Sequence, residues 1–372
     1  MRLYGMNRFL CEPDGLMLNT SAAYHFSQTL SYISLHALPI IALATNSLIL
    51  LLVLTNSRLN RSSFSVYVKS MAISDTLVLV FKLLSFENKT STIFYSPTMC
   101  SALVFLCDAS VLLSVWTIVL ITVERALVVI FPIHIKKFVS ECRARVLIML
   151  IALMSVIFSS RVLLIPIDVS SEQKKRCHPV ADWQNYRQIN AAITEFSYCF
   201  IPLSIVIIGN CVTLYTVKRA IFQRHQILTN HVYHQKRTLE TNESQLMLML
   251  LIVTLMFMVY FLPFTITSLI SMWGLPFGFC FTQKHFEHYL IIRSIFEFLK
   301  DLNFCTNFII YCISGRRFRY AFFSLVHRRH NRLFSSLRSS KSTKQRTEQL
   351  LQQNIVKLGD INVKPTFEGS HL

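Results

Sequence analysis

Apolar residues fill seven stretches of this chain, each long enough to cross a bilayer, and polar residues fall between them. The stretches are 33–55, 64–86, 97–131, 143–167, 191–218, 245–272 and 286–312. About 20 helical residues cross the ~30 Å hydrocarbon core. In lipid every backbone N–H and C=O must be satisfied inside the segment, so the spans are predicted to be helices. The pattern predicts an all-α membrane protein, a seven-transmembrane helix bundle whose third helix is the longest. Residues 315–326 (GRRFRYAFFSLV) are amphipathic and predict a short surface helix after the seventh span. The implied organisation is an N-terminal segment 1–32, a bundle with its surface helix over 33–326, and a polar tail over 327–372 whose composition predicts disorder.

Composition sharpens this picture. The chain has 372 residues, 53% of them hydrophobic and 15% charged, where a soluble domain is about a quarter charged. The net charge of +18 raises the question of nucleic acid, but its distribution excludes that reading. The segments 56–63, 131–145, 218–244 and 313–372 hold 23 Lys and Arg, and the alternating segments hold 8. Basic residues mark the cytoplasmic side, which puts the N-terminus outside and the C-terminus inside. No cleavable signal peptide is expected, and the first span serves as the insertion signal. Asn19 and Asn88 head sequons on the outer side and are glycosylation candidates, whereas Asn60 and Asn242 fall inside. Four cysteines fall outside: Cys11, Cys100, Cys177 and Cys280. An even number in an oxidising compartment suggests two bridges, with three pairings open.

The candidate chemistry lies where charge meets the spans. Glu124–Arg125 follows Cys100 by about 37 Å of helix at ~1.5 Å per residue. With Cys100 at the outer surface, the pair sits at the inner mouth of the bundle. Asp75 is a carboxylate in the middle of the second span, a costly place that is usually functional. Lys82 lies on the same face, further out. Pro202 and Pro263 interrupt the fifth and sixth spans. Arg293, Lys300, Asn303, Asn307 and Tyr311 form a polar stripe on the seventh. Asp75, Ser114, Asn303 and Asn307 together could hold water or one small cation through oxygen ligands.

These residues resemble the rhodopsin-like family of G-protein-coupled receptors across roughly 33–326. Asn46 matches that family's first-helix asparagine, and MAISD, ending at Asp75, matches its LAxxD. Cys100 and Cys177 match its disulfide, and Glu124–Arg125–Ala126 matches D/E-R-Y. Phe257, Tyr260, Phe261 and Pro263 match FxxCWxP, Asn307 to Tyr311 match NPxxY, and Phe318–Arg319 match the start of the surface helix. Departures are Ala126 for Tyr, Phe261 for the toggle Trp, Phe308 for Pro, Asn210 for a fifth-helix Tyr, and no Trp in the fourth span. The end of the seventh span looks like invertebrate FMRFamide- and myosuppressin-type neuropeptide receptors.

The resemblance implies a Cys100–Cys177 bridge, which leaves Cys11–Cys280 as the second. It implies that Glu124 holds Arg125 at rest and that helix 6 swings about Pro263, with Phe257, Phe261, Asn307 and Tyr311 in the switch. Arg125 is then released to a heterotrimeric G protein. It implies an allosteric sodium ion at Asp75, Ser114, Asn303 and Asn307, and no other cofactor or metal. The expected location is the plasma membrane, among lipid, with arrestin and receptor kinases as further partners. Ser335 to Thr347 supply seven hydroxyls for those kinases.

The ligand is expected to be an extracellular neuropeptide. Amine receptors carry an Asp eighteen residues before the arginine. Here that position is Cys107, and Asp108 is rotated by ~100°. The pocket candidates are Lys82, Cys107, Asp108, Glu195, Phe261, Arg293 and Glu297. A cationic peptide group would seek an unpaired carboxylate beside aromatics, such as Glu195 or Glu297, although Arg293 at i−4 is positioned to neutralise Glu297. An amine receptor, a transporter and a non-signalling binding protein are the alternatives. A transporter predicts repeats and Gly-rich broken helices, against only 8 Gly. A membrane hydrolase lacks its motifs, since neither HExxH nor GxSxG occurs.

Overall fold

The computed structural model describes residues 21–56, 63–90, 97–131, 139–164, 167–168, 178–179, 184–227, 237–273, 283–316 and 318–327. Helix α1 is Ala22–Thr55, α2 is Ser63–Thr90, α3 is Pro97–Ile130 and α4 is Glu141–Ser159, extended by a 3-10 turn at Ser160–Leu164. Two strands, β1 (Ile167–Asp168) and β2 (His178–Pro179), pair antiparallel. They are a small exception to the all-α expectation. Helix α5 comprises Gln184–Glu195, a π turn at Phe196–Phe200 and Ile201–Ile227. Helices α6 (Arg237–Trp273) and α7 (Gln283–Ser314) follow, and α8 covers 318–327. The chain divides into two units, Met1–Arg319 and Tyr320–Leu372. Leu, Val, Ile and Phe line the interior of the first unit, and Ile40, Met149, Met154 and Ile208 point outward, as lipid-facing positions should.

Helix α1 starts eleven residues before the apolar signal does, because Ser21 caps it by accepting from the Tyr24 N–H. Helix α2 runs on to Thr90, so Asn88 lies in it and not in the loop expected from 87, and Asn60 lies outside the described residues. Among the described residues, six helices are long and apolar enough to cross a membrane. Helix α7 is not among them, because Arg293, Glu297, Lys300 and Asp301 fall within it.

The π turn has a local cause and a tertiary use. Pro202 has no N–H, and the Ile201 N–H reaches back to the Phe196 carbonyl, not to that of Ser197. The Ser197 carbonyl thereby accepts the Trp116 indole N–H at 3.1 Å, joining α3 to α5. A second close approach lies at Gly209, where a Cβ would come within 2.6 Å of the Thr122 methyl.

Candidate functional site

Three polar layers lie along the bundle, and α2 contributes to each. At the inner end, Arg125 donates to Glu124 at 2.8 Å. The same carboxylate accepts from the Tyr67 hydroxyl and, at 3.4 Å, from Ser63. Tyr67 is fully buried. The Arg125 Nε is buried without a hydrogen-bond partner. The carboxylate is thus held by two α2 hydroxyls that sequence reading missed. Tyr67 lies two turns before Asp75 on the same face, and that spacing was the available signal.

In the middle layer Asp75 is 0% exposed. Ser114 donates to one carboxylate oxygen and the Asn307 amide to the other at 2.7 Å. Asn303 is buried nearby on α7, with its amide nitrogen unpartnered. Asn46 donates to Thr76 and to the Phe304 carbonyl, each at 3.1 Å. No Lys or Arg pairs with Asp75 among the described residues. A fully buried carboxylate facing only neutral donors is a fitting seat for one small cation. Tyr311, on the inner side of this layer, directs its hydroxyl at the Met71 sulfur, 4.0 Å away, and its ring packs on Phe318. Phe308 also meets Phe318.

Above it an aromatic floor joins α6 to α7. Phe261, the toggle position, stacks on Phe257 at 4.3 Å and meets Phe304 edge-on at 6.3 Å. Pro263 lies within α6. Asn210 of α5 accepts from Thr254 of α6 at 2.9 Å.

The outer layer carries most of the charge. Asp301 is 2% exposed and accepts from Lys82 and, at 2.5 Å, from Ser34 of α1. Lys82 also lies 3.7 Å from Glu297, so a lysine from another helix, and not only a neighbour on α7, approaches that carboxylate. Asp108 faces Arg161 at 3.2 Å. Arg161 is also bonded to Thr194 at 2.6 Å. Arg293 donates to the Tyr289 hydroxyl at 3.2 Å. Cys107 approaches the Val78 carbonyl at 3.7 Å. Glu195 keeps one carboxylate oxygen buried and unpartnered. Cys100 is buried and disulfide-bonded. Cys11, Cys177, Cys280 and Asn19 lie outside the described residues.

This layering, with an acid–arginine pair at the inner mouth and a buried carboxylate at mid-span, invites comparison with known receptors. The family model for the 7 transmembrane receptor (rhodopsin family) matches residues 45–311. The chain belongs to the rhodopsin family of seven-transmembrane receptors. It is thus a multi-pass membrane receptor and not an enzyme. It is similar to Galanin receptor 2b of Danio rerio, 22% identical over 82% of this chain and 77% of that receptor. The QRFP-like peptide receptor of Branchiostoma floridae is 24% identical over 78% of this chain and 76% of its own length. C-C chemokine receptor type 1 of Macaca fascicularis is 19% identical, over 79% of each.

Proposed function

We propose that this rhodopsin-family member is a plasma-membrane receptor, N-terminus outside, that binds an extracellular peptide and activates a heterotrimeric G protein. The observation that carries the signalling half is the Glu124–Arg125 pair, restrained by Tyr67 and Ser63. An arginine held in place by its neighbour's carboxylate is a two-state element, and only a ligand with unequal affinity for the two states can shift it. The peptide half is supported by the galanin and QRFP-like relatives and by the chemistry of α3. An amine needs a free α3 carboxylate, but Asp108 is engaged by Arg161.

Asp75, Ser114, Asn303 and Asn307 would hold an allosteric sodium ion, which supplies a counter-charge to Asp75 and favours the resting state. Phosphorylation of the 327–372 tail by receptor kinases would recruit arrestin, and its basic residues would meet anionic lipid.

The test is a promiscuous G-protein calcium assay of peptides and amines in cells expressing the receptor, with Arg125→Ala alongside. Activation by a peptide, lost in the variant while binding persists, is the expected outcome. Activation by amines alone would overturn the peptide reading, and an active Arg125→Ala would overturn the switch.

A further inference from the structure

Inward of Pro263, the side chains of α6 are almost all apolar, and hydrogen bonds tie them to another helix at one place. Over 248–262, among the described residues, both side-chain bonds that leave α6 go to Asn210 of α5. The Thr254 hydroxyl donates to its Oδ1 at 2.9 Å, and its amide nitrogen approaches the Met258 sulfur at 3.6 Å. Asn210 and Thr254 are both buried. Thr254 precedes Pro263 by nine residues, within the part of α6 that a bend at the proline displaces.

Asn210 is itself fixed in place. Its neighbour Gly209 seats α5 so close to α3 that a Cβ there would come within 2.6 Å of the Thr122 methyl. Further out, Trp116 of α3 donates to the Ser197 carbonyl of α5 at 3.1 Å. The acceptor therefore stands on a helix held to α3. The donor stands on a helix with no charged residue over 248–270.

The Thr254 hydroxyl has a second acceptor. The Leu251 carbonyl, one turn back on α6 itself, lies at the same 2.9 Å. A hydroxyl carries one proton, so it serves one acceptor fully at a time. Helix α6 can thus part from α5 without stranding a donor, because the hydroxyl turns to Leu251, a bond that threonine makes readily within helices. A stranded buried donor would be costly. The freed Asn210 oxygen faces the gap that the departing helix opens, where water can take the place of the hydroxyl.

We propose that Asn210 and Thr254 are the positioning pair that keeps the inner half of α6 against α5 while Glu124 holds Arg125, and that opening moves the Thr254 hydrogen bond from Asn210 to Leu251. The signalling role of the pair rests on the G-protein reading above.

The test uses the full receptor without ligand. Nucleotide exchange is read in membranes at matched surface expression, and spin-label distances between α2 and α6 are read on the purified protein. Thr254→Val keeps the side-chain shape and deletes the hydroxyl. It should raise both basal exchange and the population with the longer distance by about fivefold, the change that about 1 kcal/mol makes. Asn210→Ala should do the same, and Thr254→Ser, which keeps the hydroxyl, should restore the resting values. The double variant Asn210→Ala with Thr254→Val should match either single one. An additive rise of about 25-fold would mean separate contacts and would overturn the pair. Unchanged distances in both single variants overturn it whatever the exchange does. A longer distance without added exchange would support the pair and count against the G-protein reading. Exchange raised by Tyr67→Phe but by neither variant would overturn the pair and leave that reading standing.

Discussion

Lysine 82 and aspartate 301 provide a test in which the two single variants should behave unequally. Lys82→Met leaves Asp301, which is 2% exposed, with only the Ser34 hydroxyl among the described residues. Glu297, already 3.7 Å from Lys82, loses the same cation. Removing one partner of a buried pair costs about 3–5 kcal/mol, because the other charge stays buried. Asp301→Asn is milder. The lysine side chain is 28% exposed and can turn to Glu297, and the amide still accepts from Ser34. About 1–2 kcal/mol is expected, near the worth of one charged hydrogen bond. The double variant removes both charges and should recover most of the Lys82→Met loss. Thermal unfolding of detergent-solubilised receptor, followed with a thiol-reactive dye that reaches the buried free Cys199 and Cys305, would read these differences. At about 2–4 °C per kcal/mol, Lys82→Met should fall roughly 6 °C or more. A double variant as unstable as Lys82→Met, or equal single losses, would refute the reasoning.

Tyr67→Phe removes a hydroxyl from Glu124 and should raise ligand-independent signalling several-fold; unchanged basal calcium or nucleotide exchange would count against the restraint. Gly209→Ala should cost about 1–3 kcal/mol by overpacking against Thr122. Thr122→Ser, which deletes the offending methyl and keeps the hydroxyl bonded to Ile118, should restore the melting temperature. Sodium should weaken agonist binding to the native receptor and not to Asp75→Asn; equal sodium sensitivity would remove the ion from the middle layer. Spin-label distances on agonist addition should change between α2 and α6 and stay fixed between α2 and α7; a comparable α7 shift would contradict the division argued below.

Six of the seven spans were legible because lipid imposes one rule on them, a run of apolar residues about as long as the bilayer is thick; the seventh, with Arg293, Glu297, Lys300 and Asp301 within it, stood out by its polar stripe as well. The exceptional residues were legible for the same reason. Asp75, Ser114 and Asn307 stand out at mid-span, and helical spacing gave the face of each. Partner choice was not legible. Whether Asp108 meets Arg161, or Glu297 meets Lys82 as well as Arg293, depends on the rotation and depth of neighbouring helices. No local pattern encodes either. Tyr67 escaped notice because tyrosine in an apolar run reads as bulk. The early start of α1 was hidden because a Ser21 cap and an amphipathic first turn carry no membrane-length signal. The π turn was half visible, since Pro202 marks a lost donor but not which carbonyl takes its place.

The distribution of bonds bears on which part of the bundle moves. Ser63, Tyr67, Met71, Asp75 and Lys82 recur on one face of α2. Through them α2 holds α3 at the inner end by Glu124, α3 and α7 at the middle by Ser114 and Asn307, and α7 and α1 at the outer end by Asp301 and Ser34. Carboxylates take part at every level, so parting these four helices would strand a buried charge. Over 248–270, where its side chains are described, α6 carries no charged residue and so no ion pair of its own. Its described links are the Thr254–Asn210 bond, the Tyr289 hydroxyl on the Thr267 carbonyl, Phe261 packed edge-on against Phe304, and the Lys300 ammonium over the Phe264 ring. Neutral hydrogen bonds and ring contacts are exchanged at about 1 kcal/mol each, several-fold less than a buried charge pair. Pro263 adds a missing backbone bond within α6 itself. Phe308, in an otherwise matching NPxxY motif, leaves α7 an unbroken helix over Gln283–Ser314. The asymmetry therefore concentrates conformational freedom in α6, the helix that shares none of the carboxylate links through which α2 holds α1, α3 and α7.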